Sequence, residues 1–214
     1  MSTTAEIPES QESQIKLLNR VVEELNKKYE GIFSAETIER YVFESYTALA
    51  RTAKIRTHLP LLAEHFATDR LEALRHAGDE IKDSLPQVLF VCTRNVGRSQ
   101  IASALLKHYA GGEVHVRSAG ILPDAEVHPV VLDVLAERGI DIGKAYPKPL
   151  TDDVVRASDY VVNLGCDGAY PMYPGKHYLD WDLMDPGDES PERVRAVVDE
   201  IDVHIRELWA EMSK

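Results

Sequence analysis

The feature that most constrains the fold is a regular alternation of strand-like and helix-like segments after Gln87. Short apolar runs predict strands at 87–91, 114–117, 160–164 and 177–181, and helical patterns fall between or after them at 99–109, 129–138, 151–157 and 191–212. Strands that alternate with helices pair in parallel, and the helices cover both faces of the sheet. The sequence therefore predicts an α/β fold with a four-stranded parallel sheet flanked by helices.

The first 85 residues have a different texture, with helical spacing and no strand pattern. A first helix is predicted over 13–29, Ser34 is placed to cap a second, and Pro60 suits the first turn of a third. We predict a disordered lead over 1–12, a small three-helix bundle over 13–84 and a catalytic domain over 85–214. A bundle this small gains stability by packing on a neighbour, so we expect it to form a homodimer.

Composition excludes several classes of protein. The net charge of -12 argues against binding nucleic acid or an anionic membrane, because both require a surplus of Lys and Arg. The sequence has no apolar run long enough to span a membrane, and its polar, acidic start is unlike a signal peptide. Two cysteines, Cys92 and Cys166, exclude a disulfide scaffold, and we expect a cytoplasmic protein.

The segment after the first predicted strand carries the strongest chemical pattern. Cys92 is followed six positions later by Arg98, and a helix is predicted to leave the loop at Ser99. Five intervening residues can curl so that their N–H groups form a concave anion nest, which we expect to include Thr93, Arg94, Asn95, Val96 and Gly97. The N-terminus of the following helix adds positive partial charge.

The same arrangement suits a nucleophilic sulfur. Arg98 can offer a planar fork to two oxygens of an anion, and Arg94 adds charge at the rim. A positive environment favours the thiolate of Cys92, and Ser99 can donate a hydrogen bond to it. The alternative is that Cys92 is a small buried side chain and Arg98 a surface residue, but this leaves the loop pattern unexplained. A nucleotide-binding P-loop is disfavoured because no Gly-Lys-Ser/Thr follows.

The stretch Cys92-Thr-Arg-Asn-Val-Gly-Arg98-Ser99-Gln100 resembles the active-site loop of the low-molecular-weight tyrosine phosphatase fold, and most closely that of arsenate reductases built on this fold. Further matches keep their order downstream: Arg117-Ser-Ala-Gly120, Val127-His-Pro129, Pro147-Lys-Pro-Leu-Thr151, Tyr173-Pro-Gly-Lys176 and Leu179-Asp-Trp-Asp-Leu183 with Asp185-Pro186. The resemblance covers residues 87–214 and leaves the N-terminal helices outside it.

The resemblance implies that Asp185 is the general acid that protonates the leaving oxygen. Without it, an aspartate before Pro186 reads as an ordinary turn residue. Phosphatases of this fold place aromatic residues after the Asp-Pro pair, whereas this chain continues with Gly187, Asp188 and Glu189. The absence of an aromatic flank favours a small inorganic oxyanion, such as arsenate with phosphate or sulfate as mimics.

A reductase also needs a second thiol, and Cys166 is the candidate because it follows a predicted strand at the same sheet edge. The alternative is an idle free cysteine. Related reductases often carry a further cysteine where this chain has Tyr170, so a relay through three cysteines is not available. The oxidised product is then either a Cys92–Cys166 disulfide opened by thioredoxin, or a mixed disulfide with mycothiol that a mycoredoxin system resolves.

We therefore predict a cytoplasmic arsenate reductase with Cys92, Arg98, Ser99, Asp185 and Cys166 as catalytic residues. It needs an external thiol reductant, and we predict no bound cofactor and no metal. Some relatives bind potassium through a glutamate where this chain has Ser103, so no ion is expected. The enzyme alternative is a low-molecular-weight protein tyrosine phosphatase, and a non-catalytic alternative is an arsenic or phosphate sensor. The histidines, including His128 before Pro129, show no metal-binding spacing with a cysteine.

Overall fold

The computed structural model describes residues 11–54, 57–78, 85–166, 170–186 and 190–213. The chain divides into two compact units, with the boundary between Glu72 and Ala73. This boundary lies inside a helix, twelve residues before the one predicted between residues 84 and 85.

The first unit is built from three helices: α1 (Gln11–Lys28), α2 (Ala35–Ala50) and the greater part of α3 (Leu59–Ala77). Helix α1 begins two residues before its expected start, so only residues 1–10 of the predicted disordered lead remain, and these lie outside the described residues. The Ser34 side chain accepts the Thr37 N–H at 3.2 Å, which is the N-cap that the sequence predicts.

Most buried side chains among the described residues of the first unit are apolar, and the charged side chain of Arg70 is buried with them. Leu18, Ile38 and Val42 are at most 1% exposed. The Arg70 guanidinium donates to Ser45 at 3.2 Å and to Glu44 at 3.0 Å. These partners offset the cost of removing a charge from water, because a buried charge is tolerated where it is paired and hydrogen-bonded.

The second unit contains the predicted parallel sheet. Its strands are β1 (Gln87–Cys92), β2 (His115–Gly120), β3 (Tyr160–Asn163) and β4 (His177–Asp180), in the order β2-β1-β3-β4. Strand β2 runs three residues beyond its predicted end, because the small residues at 118–120 continue the pairing with β1 although they lack an apolar pattern.

Four helices accompany the sheet: α4 (Arg98–Ala110), α5 (Pro129–Glu137), α6 (Asp152–Ala157) and α7 (Pro191–Met212). Side chains alternate along β1, so Val88 and Phe90 pack in one cluster with apolar residues of α4, α5 and α7. Leu89 and Val91 pack in a second cluster, with residues of α6. All six residues of β1 are buried.

The strand order reverses between β1 and β3. The chain passes from β1 to β2 on one side, and β3 then pairs with β1 on the other side. In open α/β sheets a ligand binds beyond the carboxyl ends of the strands at such a switch point. Cys92 ends β1 at this point, and Cys166 follows β3 by three residues.

Among the residues that the structure describes, no helix combines the length and the apolar character needed to cross a membrane.

Candidate active site

Hydrogen bonds to its carbonyl oxygens shape the loop between β1 and α4. Four of these oxygens accept backbone N–H groups from the segment 121–128 at 2.9 to 3.2 Å: those of Cys92, Thr93, Arg94 and Val96. The C=O and N–H of one trans peptide unit point in opposite directions, so an outward carbonyl leaves the N–H of the next residue on the inner side of the loop. The loop thus has the concave form in which amides surround an anion.

Asn95 fixes the sharpest point of this curve. Its φ of 55° lies in the left-handed region, where Asn is among the better tolerated residues. Its backbone N–H donates to the Cys92 sulfur at 3.2 Å, and its side-chain oxygen accepts the Lys148 N–H at 2.8 Å. The Asn95 backbone therefore contacts the Cys92 sulfur, while its side chain connects the loop to the segment that contains Lys148.

Gln100 stabilises the loop through hydrogen bonds to backbone carbonyls, a role that the sequence did not predict. This buried side chain donates through Nε2 to the Asn95 carbonyl at 3.0 Å and to the Tyr146 carbonyl at 3.2 Å. A glutamine in the first turn of an otherwise buried apolar helix was the available indication, since a buried amide needs partners.

The Cys92 sulfur lies 2.9 Å from the Ser99 hydroxyl oxygen, and both side chains are at most 3% exposed. The Ser99 oxygen also accepts the Asn95 side-chain amide at 2.8 Å. A thiolate has no hydrogen to donate, so the Ser99 hydroxyl is the donor in this contact when Cys92 is ionised. The ionised sulfur thus receives two hydrogen bonds, one from Ser99 and one from the Asn95 backbone.

The Arg98 guanidinium points into the protein. It is 7% exposed, and its Nη1 donates to the Leu183 carbonyl at 3.0 Å. Nη2 lies 3.4 Å from Asp185 Oδ2, and a Cβ atom added at Gly165 would stand 2.5 Å from Nη1. The guanidinium is therefore oriented before any ligand binds.

Asp185 lies at the rim of the loop and is 46% exposed at its side chain. Its Oδ2 atom is 3.6 Å from Arg94 Nη2, in addition to its contact with Arg98. Pro186 packs on Gly97, where an added Cβ would approach its Cγ to 2.9 Å. Gly97 therefore lets the Asp185-Pro186 segment close over the loop. Residues 187–189, which the sequence analysis contrasted with the aromatic flank of phosphatases, lie outside the described residues.

Cys166 is 7% exposed and follows β3, whose residue Asn163 pairs with Val91 of β1. The two cysteines therefore leave neighbouring strands at the same sheet edge. The Cys166 thiol donates to Asn163 Oδ1 at 2.7 Å. Burial raises the pKa of the Cys166 thiol, and the negative charge of Cys92 raises it further. Both cysteines are free.

Tyr170, the residue at the position of the relatives' further cysteine, packs at the Cys166 side of the sheet. Its ring stacks on Tyr178 with centroids 6.3 Å apart. Burial, followed by the charge of Asp180, raises the pKa of Tyr170 to about 12. Its hydroxyl therefore stays protonated at neutral pH and is no nucleophile.

His128, Ser103 and Trp181 take part in helix capping and packing. His128 is the N-cap of α5, and Ser103 is buried on α4. The Trp181 ring stacks on His204 and meets Phe90 at a tilt of 46°. Across the described residues, no three His, Cys, Asp or Glu side chains gather in a way that could hold a metal ion.

The loop follows the first strand of a parallel sheet, begins with a cysteine and ends with an arginine. This combination is typical of phosphatase-like α/β proteins. The model of the low molecular weight phosphotyrosine protein phosphatase family matches residues 87–214, and this chain belongs to that family. The model of a protein-tyrosine-phosphatase-like N-terminal domain matches residues 18–75.

Three relatives illustrate the similarity. A thioredoxin-dependent arsenate reductase structure from Corynebacterium glutamicum is 59% identical, with a TM-score of 0.84, over 92% of this chain and 97% of that one. The glutaredoxin arsenate reductase of Synechocystis sp. is 33% identical over 60% of this chain and all of its own length. The protein-arginine-phosphatase of Bacillus subtilis is 29% identical over 59% of this chain and 97% of its own.

Proposed function

We propose that this protein is an arsenate reductase in which Cys92 attacks arsenate and Cys166 resolves the adduct. The observation that carries the proposal is the placement of the two cysteines. Cys92 lies inside an oxyanion loop at the end of β1, and Cys166 follows the neighbouring strand β3. A phosphatase requires the first of these features, whereas a reductase makes use of both.

In the first step the loop amides and Arg98 hold three oxygens of arsenate. The entering anion takes over the guanidinium contacts that Asp185 makes in the free protein. The Cys92 sulfur attacks arsenic, an arsenic–oxygen bond breaks, and the oxygen leaves as water with a proton from Asp185. Arsenic remains pentavalent and is now bonded to the Cys92 sulfur.

In the second step the Cys166 sulfur attacks the Cys92 sulfur. A sulfur–sulfur bond forms, the sulfur–arsenic bond breaks, and its electron pair stays on arsenic. Arsenic is thereby reduced from the pentavalent to the trivalent state, while the two cysteines are oxidised to a disulfide. The proton of Cys166 ends on an oxygen of the departing arsenite.

The reductant that reopens the disulfide is thioredoxin. Its dithiol supplies the two electrons and two protons that restore Cys92 and Cys166. The similarity to a thioredoxin-dependent enzyme over nearly the whole chain supports this choice. A mycothiol and mycoredoxin system is the competing reductant, which would replace the internal disulfide with a mixed disulfide on Cys92.

Arsenate turnover measured in parallel with thioredoxin, thioredoxin reductase and NADPH, or with mycothiol and mycoredoxin, tests the function and the reductant together. We expect turnover with thioredoxin. Turnover only with mycothiol and mycoredoxin would mean that this system, and not thioredoxin, is the reductant. No turnover with either system would reject the proposed reductase function.

A phosphatase is the second candidate, because the loop and Asp185 suffice for phosphoryl transfer and the chain resembles an arginine phosphatase. It would need water to attack a phosphorylated Cys92. Hydrolysis of an aryl phosphate and of phosphoarginine, unaffected by Cys166→Ser, would favour this reading if arsenate turnover were absent.

We further propose that the protein works in the cytoplasm, since its chemistry depends on two free thiols. For the N-terminal helices we propose dimerisation; Ile15 and Ile32 are more than 40% exposed on this unit. Sedimentation of the full chain and of a chain starting at Ser84 tests this. A monomeric mass for both would reject it.

A further inference from the structure

Asn163 makes three hydrogen bonds to the same cysteine: its amide nitrogen donates to the Cys166 carbonyl at 3.4 Å, and its amide oxygen accepts the two shorter bonds. Its side-chain oxygen accepts the backbone N–H of Cys166 at 3.0 Å and the thiol of Cys166 at 2.7 Å. One amide oxygen therefore fixes both the backbone and the sulfur of Cys166. The sequence predicted this residue as part of the third strand and indicated no role for it in the site.

Asp180 determines which way the Asn163 amide faces. Asn163 Nδ2 donates to Asp180 Oδ1 at 2.8 Å, across the β3–β4 pair in which these residues are partners. A carboxylate can only accept hydrogen bonds, so the NH₂ end of the amide must face Asp180. The oxygen is thereby turned toward Cys166.

We propose that Asn163 is a positioning residue that keeps Cys166 as a protonated hydrogen-bond donor at the end of β3 until Cys92 carries its adduct. The proposal rests on the proposed role of Cys166 as the resolving thiol. It adds a reason why the second sulfur does not react early, and it assigns that control to a neutral side chain beside the site.

The protonated and the ionised form of the Cys166 sulfur interact differently with the Asn163 oxygen. A thiol can donate to an amide oxygen, whereas a thiolate has no hydrogen to donate and would be repelled by that oxygen. The contact therefore stabilises the unreactive form and must be given up when the sulfur attacks Cys92.

Other groups near Cys166 also affect whether its sulfur is protonated. Cys92 and Asp180 disfavour negative charge on it, Arg98 favours such charge, and Tyr170 is neutral. Since Arg98 also clamps the oxyanion, an early thiolate at Cys166 would compete with the substrate for the same guanidinium. Holding the thiol protonated leaves Arg98 to the anion.

The test measures how Cys166 alkylation by iodoacetamide depends on pH in a Cys92→Ser background, where Cys166 is the single cysteine. Asn163→Ala removes the acceptor, and we expect the midpoint of the alkylation profile to fall by about 0.5 to 1 pH unit. The matched variant is the exchange Asn163→Asp with Asp180→Asn. It keeps the net charge and the hydrogen bond between the two positions, but it places a carboxylate against the thiol.

In the exchange variant we expect the midpoint to rise above that of the background protein. If Asn163 merely kept the loop folded, both changes would loosen it, expose Cys166 and lower the midpoint. Two downward shifts, or no shift in either variant, would overturn the proposal. Circular dichroism and the thermal midpoint of each variant verify folding.

This measurement needs no arsenate, so it separates failure of this proposal from failure of the proposed function. In the presence of Cys92, the exchange variant should slow thioredoxin-coupled arsenate turnover several-fold. The same exchange should leave arsenate-dependent protection of Cys92 from alkylation unchanged. Slower turnover without the upward midpoint shift would count against the positioning role.

Discussion

Gly165 lies directly against the guanidinium of Arg98. A Cβ atom built at Gly165 would stand 2.5 Å from Arg98 Nη1, closer than non-bonded atoms approach. Gly165 immediately precedes Cys166, so the same turn both contacts Arg98 and carries the second cysteine. The glycine is required twice, because its φ of 70° is also in the left-handed region.

Gly165→Ala is therefore expected to displace Arg98 and to raise the KM for arsenate by about tenfold, the effect of losing one charged hydrogen bond to the anion. Gly175→Ala is the matched control, since Gly175 has a φ of 77° but nothing within 4 Å of its added Cβ. The control variant has the same backbone strain, but we expect its KM for arsenate to be unchanged. Equal KM values for the two variants would contradict the role of Gly165.

Ser99→Ala removes the hydrogen bond that the hydroxyl directs to the Cys92 sulfur at 2.9 Å. We expect arsenate turnover to fall by about 10- to 100-fold, because hydrogen bonds to charged groups are stronger than neutral ones. Ser103→Ala, a second buried serine on the same helix, should leave turnover nearly unchanged. Equal losses in the two variants would mean that α4 packing, rather than the sulfur contact, is responsible.

Asp185→Asn removes the proposed proton donor but retains the shape of the side chain. Turnover should fall by about 100-fold or more, in the range typical of lost general acid catalysis. Arsenate binding, measured as protection of Cys92 from alkylation, should persist or improve, since a negative charge beside Arg94 and Arg98 is removed. The neighbouring Asp182→Asn is the control; a similar loss there would argue against an acid role for Asp185.

The pH dependence of the resolving step follows from the raised pKa of Cys166, whose cause is burial and then the charge of Cys92. Cys92 loses that charge in the adduct, but the burial remains. The thiolate is the attacking form, so its fraction rises about tenfold per pH unit below the pKa. Arsenite release in a single turnover should therefore accelerate from pH 7 to 8.5. A rate independent of pH over this range would show that Cys166 deprotonation does not limit the step.

The sequence was sufficient for the sheet, the helices and the loop, because each has a local pattern. β-branched runs predict β1 and β3, Ser34 predicts the start of α2, and the Cys92–Arg98 spacing with its flanking elements predicts the anion loop. The end of β2 was missed since its last residues are small and pair only through their backbone with β1.

The supporting contacts depend on distant residues and could not be predicted in this way. Gln100 reaches the Tyr146 carbonyl, Asn163 faces Cys166 because Asp180 turns its amide, and Gly165 meets Arg98 across 67 positions of sequence. Each contact depends on how separate strands are placed side by side. Local spacing carries no information about such placement.

The most direct test of the two-cysteine reaction is one turnover of the reduced protein with arsenate and no added reductant. Arsenite released and free thiols lost are measured on the same sample, and the Cys92 and Cys166 peptides are analysed by mass spectrometry. The account predicts one arsenite per chain, the loss of both thiols and a Cys92–Cys166 disulfide, with none of these in Cys92→Ser. Unchanged thiols and no arsenite, or arsenite release that persists undiminished in Cys166→Ser, would contradict it.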